Sequence, residues 1–173
     1  MLFRSKLLPL IAEAGVHAVA NPLINITLQG RHDTYPKRRG MTRVPELLAQ
    51  GVNVAFGQDC AMDPWYSLGS GNMLEVAQMG LHVGQMTSQA AMRQCFEAVT
   101  TNAAKIMQLE GYGIEAGCNA DFVLLQARDV IEAIRLRATR LKVFKRGKLL
   151  AECQPATSSL KLPGRPAQTS WMI

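Results

Sequence analysis

Long hydrophobic runs are missing from this chain. None approaches the ~18–20 consecutive apolar residues that a bilayer-crossing helix needs, which argues against a membrane-spanning protein. CxxC spacing is missing too. Cys60, Cys95, Cys118 and Cys153 stand far apart, so neither a zinc knuckle nor a thioredoxin-type pair is present. Their spread fits a reduced, cytoplasmic chain. There is no His-x-His, no His-x-x-x-His and no glycine-rich phosphate loop. The basic residues lack aromatic interleaving, although Lys+Arg 19 against Asp+Glu 13 leaves a net charge of +6. They form the run Lys37-Arg38-Arg39 and a scatter between positions 128 and 148. A mildly basic surface accounts for them, and no nucleic-acid partner is expected.

What is present is ordinary apolar mass. With 48% hydrophobic residues, the 173-residue chain can offset the entropy of ordering that keeps disordered chains unfolded. Its length suits one domain, or one domain and part of another. Arg4 and Lys6 ahead of Leu7-Leu8 resemble a signal peptide, but Glu13 interrupts the apolar stretch. Residues 6–14 read better as a helix ending at Gly15.

Helix and strand then alternate. Residues 16–23 read as a strand that stops at Asn21-Pro22. Residues 25–41 read as a long polar loop. Thr42 is expected to cap a helix running to Gln50 and closed by Gly51. Residues 52–56 form a second apolar strand, followed by Gln58-Asp59-Cys60. From Asn72 a helix places Met73, Val76, Ala77, Gly80 and Leu81 on one face. A helical run over 90–99 continues toward 102–107, and the methionines there read as core filler. Residues 120–125 predict a strand and 130–136 a helix. Residues 141–144 and 149–151 predict a hairpin around Arg146-Gly147. Residues 154–173 read as a tail. The pattern is α/β with a small β appendage.

In parallel α/β barrels the chemistry sits in loops at the C-terminal ends of strands. Asn21 and Gln58-Asp59-Cys60 take such positions. A carboxylate ending a buried strand is costly unless paired, hydrogen-bonded or bound to metal. Position alone favours Asp59 as a cap for the turn toward Pro64. The alternative is a ligand that also does acid–base work. Cys60 is open to three roles, nucleophile, ligand or small apolar wall, and the wall is preferred because no histidine is near in sequence. Trp65 and Tyr66 follow Asp63-Pro64, where an aromatic either stacks on a flat heterocycle or anchors the loop to the core. His17, His32 and His82 show no ligand spacing, and His17 and His82 read as structural.

Several strings then resemble the late part of bacterial cytosine deaminase. They are Asn21-Pro22-Leu23, Leu28-Gln29-Gly30-Arg31, and Asp33-Thr34-Tyr35-Pro36-Lys37-Arg38-Arg39-Gly40. Phe56-Gly57, Asp59, Asp63-Pro64-Trp65-Tyr66, Leu68-Gly69 and Met79-Gly80-Leu81-His82-Val83 continue the match. Residues 101–125 resemble the shared ending of the amidohydrolase superfamily, with Asn102-Ala103-Ala104-Lys105, Gly113-Ile114, Gly117 and Ala120-Asp121-Phe122-Val123.

The resemblance implies the C-terminal part of a (β/α)8 metal-dependent hydrolase barrel plus closing strands of a small β-sandwich. Residues 1–112 would supply the last two βα units and following helices, 113–153 the sandwich strands, and 154–173 the tail. It implies deamination of cytosine or a related amino-pyrimidine, with water displacing ammonia. Asp59 falls on the aspartate that binds the metal and shuttles the proton, and Trp65 on the tryptophan near the pyrimidine. The divalent metal, iron or zinc, would belong to a full-length, homo-oligomeric parent.

Two departures accompany the match. The family's other ligands, an early His-x-His and a later His, and its catalytic Glu and His lie outside the matched part. The chain alone is therefore expected to be inactive and to need a partner carrying the earlier strands. A full barrel takes ~250 residues. Second, the family's His-Asp-Asp is here Gln58-Asp59-Cys60, so Cys60 stands where an aspartate faces the substrate. The alternative reading is a non-catalytic structural or interaction portion.

Overall fold

The computed structural model describes residues 2–165, with side chains from residue 6 onward. The elements are α1 (Leu2–Glu13), β1 (Ala18–Ala20), α2 (Pro22–Leu28), α3 (Val44–Ala49), β2 (Val54–Phe56) and α4 (Met73–Val83). They continue with α5 (Gln89–Ala98), α6 (Thr101–Ile106), β3 (Phe122–Leu125), α7 (Val130–Leu136), β4 (Arg140–Lys145) and β5 (Lys148–Glu152). No helix among the described residues is long and apolar enough to cross a membrane.

β1 and β2 pair in parallel, with Ala18 opposite Val54, Val19 opposite Ala55 and Ala20 opposite Phe56. Parallel neighbours need a crossover connection, and α2 and α3 supply it. All three residues of β2 are buried, as expected of a strand covered by helices. Burying a Val or Phe side chain contributes ~1.5–3 kcal/mol each, so β2 anchors the core. α4 lies directly over it. A Cβ on Gly80 would fall 2.5 Å from Cε2 of Phe56.

The helices start where the sequence offers side-chain caps. Asn72 Oδ1 accepts from the Leu74 amide at 3.2 Å. Ser88 Oγ accepts from the Ala91 amide at 3.2 Å. Asp129 Oδ1 accepts from the amides of Ile131 and Glu132 at 2.9 and 2.8 Å. α7 packs on α4 and α5, which buries Ala133 and Ile134.

The second sheet is an antiparallel meander, β3-β4-β5. Phe122 stacks on Phe144 with centroids 4.6 Å apart. Asp121 pins the β4–β5 turn, accepting from the Lys145 ammonium and, at 2.6 Å, from the Arg146 amide. Beyond β5, the Gln126 side chain and the Ala156 backbone exchange two hydrogen bonds of 2.9 and 2.8 Å.

Several expectations need correction. Residues 25–41 are not one loop, because α2 runs to Leu28. Pro22 begins that helix rather than ending a strand. Its missing N–H costs nothing at a first helical position. Thr42 is not a cap. Arg43 occupies the cap position of α3 without a side-chain bond, and Pro45 sits in the first turn. The run from 90 to 107 divides at Val99 and Thr100 into α5 and α6. The strand expected over 16–23 keeps only Ala18–Ala20. Residues 154–165 are exposed and irregular, and the rest of the expected tail lies outside the described residues.

Candidate functional site

The parallel register brings the C-terminal ends of β1 and β2 to the same height. Asn21 leaves β1 there, and Gly57, Gln58, Asp59 and Cys60 leave β2. The Gly57 amide donates to the Ala20 carbonyl at 2.9 Å, so the two exits stay in contact past the strands. Asn21 Nδ2 then donates to Asp59 Oδ2 at 2.9 Å.

Asn21 stands at the N-cap position of α2, yet its side chain makes no cap bond. An N-cap side chain usually contributes ~1 kcal/mol to its own helix. Asn21 forgoes it and reaches across to Asp59. Gly57 makes room, since a Cβ there would lie 2.4 Å from Asn21 Oδ1.

Asp59 is exposed and adopts a left-handed backbone, φ 62°. Aspartate tolerates that region better than most residues. Its other oxygen, Oδ1, accepts from the Cys60 thiol at 3.3 Å. Asp59 does not cap the turn ahead of it. That role falls to Asp63, whose Oδ1 accepts from the amides of Trp65 and Tyr66, both at 2.9 Å. These bonds, led by the Tyr66 amide, hold the Asp63 carboxyl below the usual carboxylate range.

Cys60 is half-buried beside both carboxylates. Its interaction with Asp63, then burial and Asp59, push the thiol up to about 12. A thiol held protonated is neither a nucleophile nor an anionic metal ligand. It is a neutral wall with a weak proton to donate.

The two aromatics differ in burial. Tyr66 is buried and anchors the loop. Trp65 remains 66% exposed. Gln58 donates to the Cys60 carbonyl at 3.2 Å, while its buried Oε1 has no partner. The histidines stay outside the site: the His82 ring bonds the Gln78 carbonyl at 2.7 Å, and His17 and His32 are exposed. The loop after α2 is held by an ion pair of its own. There Arg38 grips Asp33 through Nε and Nη2, each at 2.7 Å.

The profile of the amidohydrolase family matches residues 4–151. The chain belongs to the amidohydrolase family. It is 37% identical to the 5-methylcytosine deaminase of Klebsiella pneumoniae, solved with 5-fluorocytosine bound. That alignment has a TM-score of 0.86 and covers 95% of this chain and 40% of the deaminase. The pterin deaminase of Rhizobium rhizogenes is 34% identical over 151 residues, 84% of this chain and 33% of that protein. N-isopropylammelide isopropyl amidohydrolase of Pseudomonas sp. strain ADP is 29% identical over 110 residues, 63% of this chain and 27% of that protein. The amidohydrolase chain therefore spans about a third of the curated relatives it matches.

Members of this superfamily typically use a divalent metal. The donor set tests whether this chain fits one. Asp59 offers a hard carboxylate oxygen of the kind divalent ions take. Among the described residues, no group of three His, Cys, Asp or Glu side chains could hold the ion. The described residues thus offer a carboxylate of suitable chemistry but not a complete site.

Proposed function

We propose that this chain is the portion of a deaminating amidohydrolase that carries the metal-binding and proton-transferring aspartate, Asp59. The substrate class is an amino-substituted pyrimidine or related heterocycle. The observation that carries the reading is Asp59 itself, exposed at the end of a buried parallel strand with each oxygen held by a neighbouring donor. The kinship to deaminases of 5-methylcytosine and pterin supports the substrate class.

In this proposal residues 1–112 form the last two βα units of a (β/α)8 barrel, and 113–153 contribute strands of a small β-sandwich. The remaining ligands come from the rest of the fold, on the same polypeptide or a partner chain. A divalent ion, iron or zinc, would supply an acidified water as nucleophile. Asp59 takes the water's proton at a carboxylate oxygen and delivers it to the departing amino nitrogen, which leaves as ammonia. Trp65 lies over the flat face of the ring. Cys60 presents a neutral thiol to the ring edge, which favours a 5-substituted cytosine over cytosine.

The test is ammonia release from cytosine and 5-methylcytosine, by the 173-residue chain alone and by the enzyme completed with the missing barrel segment. The chain alone releases none, because one carboxylate does not make a catalytic site that needs three or more protein ligands. The completed enzyme is active and loses activity on Asp59→Asn. Metal-dependent activity in the isolated chain, or an active Asp59→Asn enzyme, overturns the proposal.

A further inference from the structure

We infer that Asn21 is a positioning residue for Asp59, and that Gly57 is the gap through which it acts. The inference rests on the reading of Asp59 given above. Three observations converge on it. Asn21 begins a helix it does not cap. Its amide instead crosses 38 residues of sequence to donate to Asp59 Oδ2 at 2.9 Å. The only side chain Gly57 lacks, a Cβ, would sit 2.4 Å from Asn21 Oδ1 and 3.3 Å from Val19 Cγ1.

The chemistry requires this donor. Asp59 sits on a left-handed residue past the end of β2, φ 62°, exposed to solvent. A carboxylate there has no backbone ladder to fix its plane. The Cys60 thiol donates to Oδ1 only weakly, at 3.3 Å. The Asn21 amide is the stronger constraint, and its residue is anchored at the first turn of α2, where the Asn21 backbone carbonyl accepts from the Asn25 backbone amide at 2.9 Å. Asn21 thus ties the loop after β2 to the helix after β1. It occupies one direction of Oδ2, and the Cys60 thiol takes one of Oδ1. A partner of this kind behind a ligand typically matters 10- to 100-fold in metal affinity or activity.

The experiment compares Asn21→Ala, Gly57→Ala and Asp59→Ala in the completed enzyme, with Zn2+ affinity by chelator competition and a kcat-against-KM split for 5-methylcytosine. Asn21→Ala lowers kcat about 10- to 100-fold, with KM within about twofold, and weakens Zn2+ by a similar factor. Gly57→Ala does the same, because it displaces the amide without removing it. Asn21→Asp does not rescue, since a carboxylate has no proton to donate. Circular dichroism confirms that each variant is folded; an unfolded Asn21→Ala shifts the decision to Gly57→Ala. Folded Asn21→Ala and Gly57→Ala enzymes with unchanged kcat and Zn2+ affinity overturn the inference while Asp59→Ala stays inactive. An active Asp59→Ala enzyme overturns the underlying reading instead.

Discussion

The ring of Phe56 occupies the space that any side chain on Gly80 would need. A Cβ there would fall 2.5 Å from Cε2 and 2.8 Å from Cζ. Both partners are buried, and the ring cannot swing away without disturbing β2. Gly80→Ala is therefore expected to destabilise the fold by ~1–3 kcal/mol, as over-packed cores do. Chemical denaturation of the two proteins measures it. An alanine variant as stable as the parent would mean that α4 does not approach β2 this closely.

Arg38 holds the Asp33 carboxyl down at about 2, against an ordinary value of 3.8. The folded value is the depressed one. The pair's contribution is present above the ordinary value and is lost as pH falls from there toward about 2. Both side chains meet solvent, so the effect is local order of the loop rather than global stability. A carboxyl NMR titration should give an Asp33 midpoint near 2, returning toward the ordinary range in Arg38→Gln. A parent midpoint near 4 would contradict the ion pair.

Cys95 is fully buried, with its thiol 3.7 Å from Met86 Sδ. Burial pushes it up to about 12. Since the thiolate is the reactive form, Cys95 should resist a disulfide reagent at pH 8 until the protein is unfolded. Exposed Cys153 should react at once. Rapid native modification of Cys95, located by mass spectrometry, would contradict the packing of α5.

Substrate preference turns on Cys60. Restoring a carboxylate with Cys60→Asp gives the polar ring edge of cytosine a strong partner. An unpaired polar group costs ~1–3 kcal/mol, so kcat/KM for cytosine relative to 5-methylcytosine should rise roughly 5- to 150-fold. No relative gain for cytosine would show that Cys60 does not set the preference.

Leu7 and Leu10 on α1, with Val16 and Val19 leading through β1, are each half or more exposed. Among the described residues β1 pairs only with β2. Apolar side chains beside an open strand edge invite association. The isolated chain is expected to aggregate or to require a partner, and Leu10→Lys should raise its soluble fraction. A monodisperse monomer with one cooperative thermal transition would contradict this.

Much of the architecture was legible because it rests on local signals. The buried run ending in Phe56 identified β2. The spacing of Val76, Ala77, Gly80 and Leu81 identified α4, and Arg146-Gly147 marked the β4–β5 turn. α2 is hidden in the sequence because Pro22 reads as a stop, although Ile24 and Leu28 behind it have helical spacing. The candidate site was half legible. The position of Asp59 after an apolar strand singled it out. Asn21 stands out in the same way at the end of the first strand, but the bond that joins it to Asp59 does not show, because a hydrogen bond over 38 residues leaves no periodic trace. Position favours Asp59 as the cap of the turn toward Pro64, yet Asp63 takes that role. Only Asp63 has its amide donors two and three residues ahead.

The paired bonds between Gln126 and Ala156 carry a practical consequence for anyone shortening or tagging this protein. A side-chain amide there plays the part of an extra strand, fastening the peptide that follows β5 back onto the segment after β3. A cut just after Ala156 leaves that clasp closed. A cut after Cys153 opens it and frees both polar ends of Gln126. Fusion partners and affinity handles therefore belong beyond Ala156, where they spare both bonds.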